Sequence, residues 1–282
     1  MIYLSSLRMR TSLLLGLLVA GSSPACSRDQ PRPRSETEPV AVEKPPTPAP
    51  TPAVPQLPQA EALLAAHVQA AGGADKIPRQ VEAKSALQVV EQKLSEEATL
   101  WWDDGKFYLE ARVEGVGETK AGYDGRVAWS EDPIYRLREL SGRERAQQIR
   151  SADLFFVAHW RDYFRSATTV EEREQDDRRY YDVELHAGPG DHAVLSFDAE
   201  TKLLARVRFD LVTPAGTMNF DTRLSDYRPV AGYLVPHRQV SHTPLLKMEQ
   251  TYTSITVGKR TDPNNYAPPS DLEVVNVDPT AG

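Results

Sequence analysis

The chain has 282 residues, of which 40% are hydrophobic and 26% charged, and a formal net charge of −7. That balance describes an ordinary globular chain and excludes a bundle of membrane spans, while the acidity argues against nucleic acid as a partner, since phosphate binding needs a net basic face. A single cysteine, Cys26, excludes both an internal disulfide and a thiolate zinc site, so the fold must rest on a packed core.

At the N-terminus, Arg8 and Arg10 precede the apolar stretch Leu13 to Ala20, small residues follow, and Cys26 comes directly after Ala25. This is the order of a secretory signal, and the apolar stretch is shorter than the roughly 20 residues that a spanning helix needs. A second methionine, Met9, would open a tighter version of the same signal. The cysteine's place resembles the lipobox of bacterial lipoproteins, in which the thiol is diacylated and becomes the mature N-terminus, although Ser23 stands where that family usually has Leu. The resemblance implies removal of residues 1–25 and lipidation of Cys26. Because Ser27 is not the Asp that retains such proteins in the inner membrane, it also implies an outer-membrane address facing the periplasm. Two or three acyl chains anchor stably, each buried CH2 contributing about 0.8 kcal/mol. Cleavage would remove two arginines and take the charge from −7 to −9, so membrane contact is expected through the anchor and not through a basic patch.

Residues 26–58 read as the lipidated cysteine followed by a disordered linker. Ten of the 22 prolines fall between residues 31 and 58, including "EKPPTPAPTPAVPQLP", and such a segment favours extended polyproline II over a packed core. The folded domain is expected over residues 59–268, with 269–282 as a tail.

The domain opens with "AEALLAAHVQAAGGADKI", which places Leu63, Leu64, His67, Val68 and Ala71 on one helical stripe and stops at Gly72-Gly73. After it the hydrophobic period changes from 3.6 to 2. "KFYLEARVE" alternates Phe107, Leu109, Ala111 and Val113 with polar residues; "YYDVELH" and "LLARVRFDL" repeat the pattern. Turn signals such as Asp104-Gly105, Asp124-Gly125 and "AGPGD" separate these segments at hairpin spacing. The reading is a mainly β (α+β) fold: one antiparallel sheet of about nine to eleven strands, too long to stay flat. In "WWDDG" the two tryptophans must point to opposite faces. The acidic "EEREQDDRR" at 171–179 reads as a solvated turn, and "VAGYLVPHR" as an edge-type connection because Pro236 removes a ladder donor.

"LSGRERAQQIRSADLFFVAHWRDYF" at 140–164 interrupts the strands. Ser141 with Glu144 forms a capping-box pattern, and Leu154, Phe155 and Ala158 give a helical apolar set. One or two aromatic-rich helices are therefore expected to be inserted mid-sheet, either as plain cover or as a lid.

The order of these parts, with "GYDGRVAW", "LSGRE", "SFDAETKLLARVRF" and "LSDYRPVAGYLVPHRQ", resembles the bacterial LolA/LolB-like superfamily of outer-membrane lipoprotein-sorting carriers and receptors over roughly residues 60–268. The resemblance implies a strongly curved half-barrel sheet whose concave side is closed by an N-terminal helix and the mid-chain insert. It also implies an apolar hollow that shelters acyl chains of lipid or lipoprotein. A tethered chain suits a receptor or sensor better than a shuttle, and Ile134 in "SEDPIY" is a candidate exposed loop residue.

The residues expected to line that hollow are Leu109, Ala111, Val183, Val207, Phe209, Met218, Phe220 and Met248 on the sheet, with Phe155, Phe156 and Trp160 closing over them. A one-residue register error would invert the sheet set. The six histidines are scattered and no G-x-S-x-G, H-E-x-x-H or G-x-G-x-x-G is present, so the reading is a non-enzyme that needs no cofactor or metal. A monomer is expected. The alternatives are an envelope-protein interaction or sensor module with a filled core and, further off, a hydrolase with a dispersed triad.

Overall fold

The computed structural model describes residues 57–272. The signal segment, Cys26, the prolines up to residue 56 and the tail from residue 273 lie outside the described residues.

The alternating segments form one antiparallel sheet of thirteen strands among the described residues. These are β1 (Gln80–Val89), β2 (Leu94–Asp103), β3 (Lys106–Val113), β4 (Gly117–Tyr123), β5 (Ala128–Glu131), β6 (Arg138–Glu139) and β7 (Ser166–Gln175). The second half comprises β8 (Arg178–Gly188), β9 (Asp191–Asp198), β10 (Leu204–Thr213), β11 (Gly216–Val230), β12 (Tyr233–His242) and β13 (Lys247–Val257). Their spatial order is β6-β5-β4-β3-β2-β1-β13-β12-β11-β10-β9-β8-β7. Two meanders thus join where the first strand pairs with the last, and the sheet curves without closing, as the half-barrel reading requires. The count exceeds eleven because β5 and β6, at four and two residues, are too short to show alternation in sequence.

Helix α1 (Ala60–Ala70) buries Leu63, Leu64 and His67 and ends at Gly72-Gly73, both with positive φ. A side chain at Gly72 would collide with the carbonyl oxygen of Gly232, so the glycine both ends the helix and lets it press against the turn between β11 and β12. The Leu234 amide then donates to the Ala71 carbonyl at 2.6 Å. The insert forms α2 (Gly142–Ala152) and a single turn, α3 (Trp160–Tyr163).

Three local expectations are corrected. "EEREQDDRR" is mostly strand: β7 and β8 flank a two-residue turn in which Asp176 and Asp177 both hold positive φ, a backbone that matches strand twist. Pro236 lies in an interior strand, paired with Tyr227 of β11; the β12–β13 ladder spans only Arg238–His242, so the proline's missing donor falls where β13 is not paired. Ser141 precedes α2 without a side-chain cap, because Glu144 forms a bidentate pair with Arg138 at 2.6 and 2.8 Å instead.

The two tryptophans do separate. Trp102 packs on the concave face with Phe107 and Phe155, and Trp101 stacks on Tyr108 on the convex face. There Trp129 donates to the Tyr266 carbonyl at 3.2 Å, tying the segment after β13 over the aromatic cluster.

Candidate functional site

The concave face is occupied differently along its length. Over β8 and β9, Leu63 and Leu64 of α1 and Trp160 and Phe164 pack directly on Val183, Leu185, Leu195 and Phe197. Over β10–β13 and β1–β3 the sheet and α2 enclose a hollow of about 420 Å³, within the ~300–1,000 Å³ of small-molecule sites.

Polar ties hold α2 across that space. Gln147, almost completely buried, donates to the Asp210 carbonyl at 2.8 Å and accepts from the Val212 amide at 2.8 Å, so its amide mimics a strand neighbour for β10. Arg150 pairs with buried Asp191 at 3.1 Å, and its guanidinium lies 4.5 Å from the centroid of the Phe164 ring. A buried pair of this kind is a strong tie only while both partners remain. The opposite side of the insert is apolar: Ile149, Ala152, Leu154 and Phe155 pack on Trp102, Phe107, Tyr233 and Val235.

After α2 the chain turns about Asp153 and does not continue as the helix expected through Ala158. One Asp153 oxygen accepts from the Phe155 amide at 2.8 Å; the other contacts His159 Nδ1 at 2.7 Å and accepts from the Tyr163 hydroxyl at 2.8 Å. The Asp153 contact raises the His159 pKa, against the opposing effect of burial. The His159 ring stacks on Trp102 with centroids 5.8 Å apart. His67 behaves in the opposite way: burial lowers its pKa to about 4, and its Nδ1 accepts from the Leu204 amide at 3.2 Å, which requires the neutral ring.

Of the eleven lining residues read from sequence, Leu109, Phe155, Phe156, Val207, Phe209, Phe220 and Met248 border the hollow. The other four lie elsewhere. Val183 and Trp160 belong to the filled region, where α1 and α3 occupy the concave space. Met218 pairs with Leu211 beyond Phe220, near the β10–β11 turn. Ala111 borders a separate depression of about 510 Å³ among Lys84, Glu110, Arg112 and Lys120, whose walls are mostly polar. Sequence reading missed Leu100, Leu224, Gln239 and Glu96, which also border the hollow. Glu96 sits at an inward position of "LSEEATLWW", and its charge hid the period of Leu94, Ala98, Leu100 and Trp102. Ile134 is exposed in its loop, its amide bound to the Asp132 carboxylate.

No protein-family model matches the chain, and no curated protein matches it in sequence. Solved structures do match in shape. A DUF1329 family protein from Desulfovibrio piger superposes with a TM-score of 0.51 at 11% identity, covering 74% of this chain and 97% of that one. A LolA superfamily protein from Nitrosomonas europaea gives 0.49 at 13% identity, covering 74% and 97%. A putative outer membrane lipoprotein-sorting protein domain from Vibrio parahaemolyticus gives 0.44 at 10% identity, covering 66% and 88%. The chain has the open, curved antiparallel sheet anticipated from the LolA/LolB-like resemblance, and shares its fold with the first of these proteins.

Proposed function

We propose that this protein is a non-catalytic binder of acyl chains, of lipid or lipoprotein, tethered through Cys26 to the bacterial outer membrane on its periplasmic side. The observation that carries this reading is the hollow itself. Leu100, Leu109, Val207, Phe209, Phe220 and Leu224 face it from both arms of the sheet, and Leu154, Phe155 and Phe156 border it from the insert. Moving a hydrocarbon chain from water against such walls is favourable by about 25 cal/mol per Å2 of apolar surface removed from solvent. Among the described residues, no serine, threonine or cysteine hydrogen-bonds the His159 ring, which Asp153 and Trp102 hold in place.

The test is native mass spectrometry of the full chain, carrying Cys26→Ser so that no anchor is attached and purified from a periplasm without detergent. Co-purified lipid, or uptake of added oleate, that is lost in Phe209→Asp while the circular dichroism spectrum is kept, supports the reading. The bare polypeptide mass with no uptake overturns it in favour of an envelope-protein interaction module.

A further inference from the structure

The wall of the hollow is not uniformly apolar. One cross-strand row on the concave face runs Leu224, Gln239, Gln250, Leu87, Glu96 from β11 through β12, β13 and β1 to β2. All five border the hollow. Beside this row, the Gln250 amide donates to the Ser85 hydroxyl at 3.0 Å, and the Thr222 and Ser241 hydroxyls pair at 2.9 Å. The hollow therefore has an apolar end beneath α2 and a wall of hydrogen-bonding groups on β11–β13 and β1–β2.

Four titratable residues other than tyrosine border the hollow: His67, Glu96, Arg150 and Asp153. Arg150 is paired with Asp191, Asp153 is held by His159 and Tyr163, and His67 is the neutral acceptor of the Leu204 amide. For Glu96, no cation lies within ion-pair distance among the described residues, and its cross-strand neighbours are Leu87 and Val113. Burial raises its carboxyl pKa above the ordinary glutamate value, which a neighbouring cation would reverse.

We propose that Glu96 is the polar-end specificity residue of the hollow, selecting amphiphiles in which an acyl chain carries a primary-amine head. This rests on the acyl-binding reading above. The chain would lie against Phe209, Phe220 and Leu109, and the ammonium would donate to the Glu96 carboxylate, with the Ser85 hydroxyl of the adjacent strand β1 on the same wall. A carboxylate that stays unpaired in a partly dry wall disfavours anionic heads by repulsion and gains from a cation, which is the arrangement that yields discrimination.

The experiment compares oleylamine, oleyl alcohol and oleate, alike in chain length, for displacement of a fluorescent fatty-alcohol probe from the full Cys26→Ser chain at pH 7.5. Oleylamine is expected to bind at least about tenfold more tightly than oleate, in line with a charge-assisted hydrogen bond. Glu96→Gln is expected to abolish that ratio, and Glu97→Gln, at the adjacent exposed position, to retain it. Two further pairs separate the sources of the amine: lysophosphatidylethanolamine against lysophosphatidylglycerol, and a palmitoylated lysine peptide against its acetyl-lysine form. The pair with a Glu96-dependent ratio identifies the source. Equal binding of all amphiphiles by the unsubstituted chain overturns the Glu96 proposal and leaves acyl binding standing, whatever the fold of the variant. A ratio that survives in Glu96→Gln overturns it as well. Binding of none overturns the acyl-binding reading and this proposal with it.

Discussion

The two parts of the concave face are built from the same alternation and end up with opposite contents. Over β8 and β9, Val183, Leu185, Leu195 and Phe197 are essentially inaccessible because α1 and the segment around α3 sit on them. Over β10 and β11, Val207, Phe209 and Phe220 have the same inward phase but remain only partly buried, since α2 stands off on its Gln147 and Arg150 ties. A half-barrel becomes a container or a core according to how closely its helices approach, and here it is one of each.

The sharpest break of that contrast is truncation in the filled part. Phe197→Ala should cost about 3–5 kcal/mol by chemical denaturation, as large buried aromatics do, whereas Phe209→Ala should cost less than about 1.5 kcal/mol because its ring already lines open space. Equal costs would show that both parts are filled. Arg150→Met, which leaves the buried Asp191 carboxylate without its cation and with the Gln147 amide at 3.2 Å as a side-chain donor, should cost about 3 kcal/mol. It should also release α2, seen as faster hydrogen exchange in Gly142–Ala152 than in α1; uniform exchange across both helices would refute the tie.

Stability should also depend on pH, and the two histidines oppose each other. His67 has its folded pKa lowered to about 4, so the unfolded chain takes up its proton first. Its contribution is full above about 6.5 and is lost as pH falls toward 4. His67→Gln should flatten the acid limb of a stability profile. His159 has its folded pKa raised by Asp153, so its contribution is full below about 6.5 and is lost as pH rises through the raised value. His159→Gln should remove that alkaline loss and leave the acid limb unchanged; an altered acid limb would break the assignment.

Much of this was legible locally. The helix ending at Gly72-Gly73, the hairpin at Asp104-Gly105, the separation of Trp101 from Trp102 and the inward phase of Leu109, Val207, Phe209 and Phe220 follow from period and turn chemistry, which act between near neighbours. The strand at "EEREQDDRR" was hidden because its partners, not its composition, make it a strand. Glu96 was hidden for a related reason: a carboxylate at an inward position defeats any reading by hydrophobicity.

What the sequence determined by itself was most of the strands, the alternation of their side chains and the resemblance that named the fold. What only the tertiary structure decided was which inward residues meet a helix and which meet open space. Val183 and Val207 obey the same alternation; Val183 lies inside the cluster that α1, more than 100 residues away in sequence, completes, whereas Val207 lies at the margin of that cluster and borders the hollow. Periodicity fixes a side chain's direction, while the distance to whatever lies opposite is set by long-range packing, and that distance separates a core from a binding hollow.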